Sequence, residues 1–329
     1  GTNNTPLISQ NAFRLKNGRF EQIGVGWLKH SFCALSEPGC GNCQATDCNT
    51  LGIGCADTYW AGLNLNGEGP RSDVNAYLGS YDVPFSINST GPSSIRANLQ
   101  ILNSDVDPSQ NSGARFFIEA QYIATDDATA GNANNNASYR EVMFTSISNV
   151  DVLDNNGAAE THAGDPAIQA WADIDPEVEL TVIDTPNDGR VFVAVKVSEN
   201  ADGTYHYEYA IQNLNCHRSV GRVSIPMGDA SISNIGFHDV FYHSGEIYDG
   251  TDWSVSDDNG ILEWATESYE QNENANAIRW GTLYNYRFDS NAAPEPGNIE
   301  LGFFRPAAGN PSSFAAGTMV PAGAVIDPC

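Results

Sequence analysis

Six histidines are the residues of this chain best suited to metal chemistry: His30, His162, His206, His217, His238 and His243. Neutral imidazole ligates copper, zinc or iron, and imidazoles from separate strands can converge on one ion. His30, His206, His217 and His238 are the candidate ligands. No H-x-H, H-E-x-x-H or 2-His-1-carboxylate spacing accompanies them. His238 and His243 are five apart in an extended segment, so alternation puts them on opposite faces unless a bulge intervenes. Histidines hydrogen-bonded among aromatic rings are the plainer reading. Paired acids such as Asp257-Asp258, Glu267 with Glu270, and Asp57 near Tyr59 have the chemistry of glycoside hydrolysis. With 41 acidic residues, however, such pairs arise by chance. Two oxygen-rich stretches could hold calcium: Asp151…Asp154-Asn155-Asn156-Gly157, and the segment supplying Asp249, Asp252, Asp257 and Asp258. Neither has EF-hand spacing, and Asp and Asn also favour turns for local reasons. Calcium is the one cofactor the sequence suggests. Trp60, Trp253 and Trp264 lie in or near polar loops, where a ring could stack on a sugar; burial is the competing reading. There is no G-x-S-x-G and no phosphate-cradling glycine loop before a helix.

Five of the seven cysteines fall within residues 33–55: Cys33, Cys40, Cys43, Cys48 and Cys55. Cys216 and Cys329 complete the set. The Cys40-x-x-Cys43 pair could ligate zinc, but the paired C-x-x-C pattern of a structural zinc site is missing. The intervening Ser36-Glu37-Pro38-Gly39 and Gly41-Asn42 suit a disulfide-bound loop in an oxidising compartment. The expected pairing places four cluster cysteines in two bridges and joins Cys216 to Cys329, pinning the chain end. The odd count leaves one cluster cysteine whose partner would lie upstream of Gly1.

These side chains have to be positioned by strands, because period-two alternation is the dominant pattern. Val191, Val193, Val195 and Val197 share one face of a strand over Arg190–Val197. Asn200-Ala201-Asp202-Gly203 supplies turn chemistry, and Thr204–Gln212 follows with Tyr205, Tyr207, Tyr209 and Ile211 on one face. The pair reads as a β-hairpin. Ile278–Phe288 repeats the pattern, and Val178–Ile183, Arg222–Ile225, Ile232–Phe241 and Ile299–Phe304 are further strands. In the first half, strands are expected in part of Phe13–Gly24 and over Ser94–Leu102, Arg115–Ile123 and Glu141–Ser148. Pro166–Ala172 is the one helical candidate, Pro166 suiting a first turn. The expected fold is all-β: a β-sandwich, immunoglobulin-like or jelly-roll-like, with a Cys-rich loop region near the N-terminus. Residues 1–175 would hold the Cys-rich loops and some strands, and 176–329 the sandwich, unless the halves form one intertwined domain.

The balance of charge is extreme, with 41 acidic against 15 basic residues, a net −26. That charge repels nucleic acid and anionic membrane, and no apolar run approaches the length of a membrane helix. No charged start precedes an apolar run, so a signal peptide would already have been removed. Asn3, Asn88 and Asn136 open N-x-[S/T] sequons, surface positions if the source cell glycosylates them.

Several phrases resemble a group of uncharacterised exported bacterial proteins. They are the motif GRFEQIG-x-x-WLKH within Asn11–Phe32, GxGCxDxY in Gly52–Tyr59, Gly69–Ala76, GDPAIxAW in Gly164–Trp171, HYEY in His206–Tyr209, Ile235–Gly245, and RWGTLYNxRFD within Ala277–Asp289. The resemblance covers nearly the whole chain. It implies export to the extracellular space and an upstream segment that includes a cysteine. Residue chemistry then leaves three functions. The leading expectation is a structural or assembly protein, such as a subunit of an extracellular filament or surface layer. It would self-associate through strand or terminal-segment contacts, with the apolar Ala315–Pro328 tail adding a strand to a neighbour. A secreted His-ligated metalloenzyme and a carbohydrate-binding protein are the alternatives. The absence of a recognisable catalytic set weighs against an enzyme.

Overall fold

The computed structural model describes residues 5–30, 35–38, 42–44, 55–56, 69–152 and 160–323; residues 30, 35–38 and 55–56 are described through their backbone alone. Strands dominate, as alternation and the wealth of β-branched and aromatic residues require. Those preceding residue 167 are β1 (Leu7–Lys16), β2 (Arg19–Val25), β3 (Lys29–His30), β4 (Leu35–Pro38), β5 (Cys55–Ala56), β6 (Val74–Asn75), β7 (Ser80–Tyr81), β8 (Gln100–Ile101), β9 (Arg115–Ile123), β10 (Ala137–Ser146), β11 (Asn149–Val152) and β12 (His162–Ala163). Two helical turns, α1 (Asn103–Val106) and α2 (Thr125–Thr129), interrupt them. After α3 (Gln169–Ile174) come β13 (Val178–Asp184), β14 (Arg190–Glu199), β15 (Tyr205–Asn213), β16 (Val220–Pro226), β17 (Ile232–His238), β18 (Ser254–Asp258), β19 (Ile261–Ala265), β20 (Thr282–Ser290), β21 (Pro294–Phe303) and β22 (Ser313–Pro321). No helix among the described residues is long and apolar enough to cross a membrane.

The chain forms two compact units. The first comprises residues 1–13, 23–167 and 241–247, and the second comprises 14–22, 168–240 and 248–329. The β1–β2 hairpin is therefore divided, its tip Arg14–Gln22 belonging to the second unit. The first unit is built on a sheet of order β11-β10-β9-β1-β2-β8, with β12 also on β10 and β3 on β1. Ala12, Ile23, Val106, Phe116 and Val142 form one of its cores. Phe116 meets Phe144 edge-on there, 5.0 Å between centroids.

The second unit holds two antiparallel five-stranded sheets, of order β13-β14-β15-β20-β17 and β18-β19-β16-β21-β22. The expected hairpin is β14–β15, in register from Val191↔Asn213 to Glu199↔Tyr205, with Gly203 at φ +84° in its turn. One face of the first sheet carries Tyr207, Tyr209, Tyr284, Tyr286 and Phe288, all fully buried. It faces the inward residues of the second sheet: Trp264 meets Tyr286 edge-on at 5.4 Å, and Tyr209 Oη donates to Met319 O at 2.6 Å. Rings crossed this way add about 0.5–1.5 kcal/mol per pair beyond the area they bury. The opposite face of the first sheet is more polar, and its central part is buried, covered by the Arg14–Gln22 tip and α3. Gln22 Oε1 accepts from Leu283 N at 2.7 Å, Asn285 Nδ2 donates to Phe20 O at 2.9 Å, and Phe20 stacks on Trp171.

Four expectations need correction. The strand read over Ser94–Leu102 is confined to β8, because the chain before it turns, with Ile95 N and Arg96 N both donating to Pro92 O. The strand read over Ile278–Phe288 starts only at Thr282, because Gly281 takes φ +72° and Thr282 N returns to Arg279 O in a turn. The stretch Asp249–Gly260, read as one oxygen-rich loop, contains β18 and ends in the β18–β19 hairpin. Asn259 and Gly260 make that turn, at φ 53° and 73°. Of the Ala315–Pro328 tail expected to reach a neighbour, Ala315–Pro321 lies in β22, which pairs with β21 of its own sheet, Gly302↔Ser313 to Pro294↔Pro321, and stands at that sheet's edge; residues 324–328 lie outside the described residues. An apolar strand beside an open edge of its own sheet pairs there first, because no association entropy opposes it.

Candidate functional site

Of the four histidines proposed as one metal site, the three whose side chains are described do not converge. His206 and His238 lie on the same polar face of the first sheet, since His206 opposes Asp289 and His238 opposes Asn285. Those rows are four residues apart along β20, about 14 Å at the strand rise. Each ring is satisfied locally. His206 Nδ1 stands 2.6 Å from Asp289 Oδ1 and Nε2 stands 3.4 Å from Glu208 Oε2, while His238 Nε2 is 3.3 Å from Gln22 O. The Glu208 carboxylate, then Asp289, holds the His206 pKa above its usual value. His217 sits in a loop against the Arg305 guanidinium, a neighbour that repels any metal cation. The side chain of His30 lies outside the described residues. Among the described residues, no group of three or more His, Cys, Asp or Glu is arranged to hold a metal.

Cys216 is a free thiol with no exposed surface; Cys329, its expected partner, lies outside the described residues. Its Sγ donates to Asp188 Oδ2 at 3.4 Å and lies 3.6 Å from Thr185 Oγ1. Asp188 also accepts from the backbone N–H groups of His217 and Arg218, so the cysteine is built into a turn whose polar groups are already answered. Burial pushes the thiol pKa up to about 12. Cys43 is disulfide-bonded. Cys33, Cys40, Cys48 and Cys329 lie outside the described residues, as does the side chain of Cys55.

The four aspartates proposed for calcium also separate. Asp249 and Asp252 border one cleft, whereas Asp257 and Asp258 stand at the far end of β18, about 16 Å further along extended chain. The turn Asp249 makes is its own: Oδ1 accepts from Thr251 N. The tryptophans turn inward. Trp264 is fully buried because alternation along β19 sends Leu262 and Trp264 to the core and Glu263 outward. Trp253 is buried against Phe237 and Tyr286. Trp60 lies outside the described residues.

What the second unit does assemble is a pair of clefts on its second sheet. One, of about 340 Å³, is bordered by Arg218, Arg222, Glu267, Tyr269, Glu270, Phe303 and Ser312. Its wall is rigid by packing: Tyr269 meets Phe304 at 74° with centroids 5.5 Å apart, and the Arg218 guanidinium lies 3.7 Å from the Phe303 ring centre. Arg218 is itself fixed by donating to Arg305 O and Pro311 O, at 3.1 and 2.9 Å. The second cleft, of about 360 Å³, is bordered by Asp249, Thr251, Asp252, Ser254, Glu267 and Asn276. Behind it Asp239 is buried, accepts from Asn276 Nδ2, and is pushed towards its neutral form by burial, with the Asp252 charge adding to the shift. Aromatic rings, carboxylates, amides and hydroxyls over a polar floor are the groups that bind polyhydroxylated ligands. Glu267 and Glu270 were named in sequence as one acid pair among many; Tyr269 and Phe303 were not, because the loops that bring them together follow different strands. The chain matches no protein-family model, and no curated protein matches its sequence.

Proposed function

We propose that this is an exported, non-catalytic carbohydrate-binding protein whose second unit is a β-sandwich carrying the binding site. One observation carries the reading: the cleft that sets Tyr269 and the Arg218-backed Phe303 against Glu267, Glu270 and Ser312. The planar groups suit the apolar face of a sugar ring and the acids accept from its hydroxyls. The test is depletion of the protein from solution by insoluble polysaccharides: cellulose, chitin, xylan and mannan. Tyr269→Ala is expected to weaken retention about tenfold, the equivalent of one lost ring contact of about 1.4 kcal/mol. Retention on none of the four, or retention indifferent to Tyr269→Ala, rejects the site.

Self-assembly is kept as a second reading by a feature of the first unit. Met143, Ile147, Val150 and Val152 are each about half exposed on the β10–β11 hairpin, at the edge of that unit's sheet. With a net charge of −26, this edge supports a filament only if these side chains are covered by another copy. Electron microscopy of the unreduced protein at increasing concentration checks it, with Val150→Lys as the disrupting variant. Dispersed particles throughout reject assembly.

A further inference from the structure

The two clefts have one floor. Ser254, Ala265, Arg222 and Gly302 are register partners on the adjacent strands β18, β19, β16 and β21. Partners across a ladder point to the same face, so these four form a single outward row. The first cleft lies over Gly302, Arg222 and Ala265, and the second over Ala265 and Ser254; Thr266 and Glu267 border both. Three inter-strand steps of ~4.8 Å make the floor about 14 Å long, more than one pyranose ring can cover.

The floor is also flat and locally neutralised. Three of its four residues are small, and Arg222 lies down across Gly302, where a Cβ would stand 3.0 Å from both Arg222 Cβ and Nε. Arg222 pairs with Glu300 and has Glu263 at 3.8 Å. The other cation, Arg218, is buried against Phe303. The remaining charged groups at the rim are the acids Asp249, Asp252, Glu267 and Glu270, on a chain of net −26. An anionic polymer would meet repulsion at close range and at long range.

We propose that the two clefts form one track for an extended, uncharged polysaccharide chain running across β21, β16, β19 and β18, with Thr266 and Glu267 contacting it midway. This rests on the carbohydrate reading above. The experiment is calorimetric titration with cello-, xylo-, manno- and chito-oligosaccharides of two to eight units, and with hexagalacturonate as the anionic probe. Ser254→Trp is the informative variant: Ser254 is exposed on an edge strand, and a large ring there blocks the second cleft alone. For the sugar that binds, affinity should rise about tenfold or more between the dimer and the hexamer. Ser254→Trp should abolish that rise yet leave dimer binding intact, and hexagalacturonate should bind more weakly than any neutral hexamer. Equal affinity for dimer and hexamer, an unaltered length dependence in Ser254→Trp, or tighter binding of hexagalacturonate overturns the track while sparing the carbohydrate reading. Absence of binding by every oligosaccharide overturns both.

Discussion

Acid should loosen the second unit at one named contact. His217 places Nε2 2.6 Å and Nδ1 3.2 Å from Arg305 Nη1. A guanidinium only donates, so the imidazole must accept, and it accepts only while one ring nitrogen is bare. Burial, followed by the charges of Arg305 and Arg279, pushes the His217 pKa from 6.5 down to about 4, with Asp188 pulling the other way. Because the folded value lies below the unfolded one, the contribution is complete above pH 6.5. It is lost as pH falls towards 4, where the folded protein must at last take up the proton that the unfolded chain already carries. Two and a half pH units at 1.36 kcal/mol each give about 3 kcal/mol, a large share of a typical domain's stability.

The comparison is urea unfolding of the wild type and His217→Gln between pH 7 and pH 4, followed by tryptophan fluorescence, with the transitions of the two units fitted separately. Glutamine keeps an acceptor for Arg305 and does not titrate; the carboxylates titrate in both proteins and cancel in the difference. The wild type should lose about 3 kcal/mol more than the variant over this range. Superimposable pH profiles, or a folded-state His217 titrating near 6.5 by NMR, would refute the reasoning.

His206 should behave in the opposite sense. Glu208 and Asp289 raise its pKa, so its stabilisation is full below the unfolded value and disappears as pH rises through the folded one; the thermal advantage of wild type over His206→Gln should be larger at pH 5.5 than at pH 8.5, and an equal advantage at both counts against the triad. Iodoacetamide without reductant should label Cys216 only after denaturation, whereas a Cys216 that stays unlabelled in urea until reductant is added would mean that it is bridged after all. Trp264→Ala should cost about 3–5 kcal/mol, as expected for a fully buried ring between two sheets; a change under about 1 kcal/mol would place that ring outside the core.

The β14–β15 hairpin was legible because its pattern and its turn agree: the tyrosines of β15 share a face, and Gly203 supplies the positive φ between the strands. The β18–β19 hairpin is equally legible, although its acids also read as oxygen ligands. Asn259-Gly260 between Ser-Val-Ser-Asp-Asp and Ile-Leu-Glu-Trp-Ala is a strong hairpin signal. Reading that turn would have put Leu262 and Trp264 on one face and withdrawn Trp264 from the sugar-stacking candidates. Ile278–Gly281 misled for a different reason, since its residues are buried on every side and alternation carries no information there. The clefts were not legible at all. Their floor depends on the register of β16 against β19 and β21, contacts 35 residues or more apart in sequence, and no local pattern encodes it.

Charge and edge chemistry bear on the two functional readings in opposite directions. Two copies of a chain of net −26 repel at long range, and any strand pairing between them has to overcome that repulsion. In the second unit two of the four sheet edges themselves resist pairing. The β17 edge is broken by a register shift between Ser233 and Gly236, and the β18 edge ends in Asp257 and Asp258. Bulges and charges on edge strands are the usual devices against sheet-to-sheet association. The outer row Ser254–Ala265–Arg222–Gly302 is exempt from these pressures, because a neutral ligand meets neither the repulsion nor the guarded backbone. A surface that repels copies of itself and guards two of its edges, yet keeps a floor of mostly small side chains open, suits a ligand that brings neither a strand nor a charge.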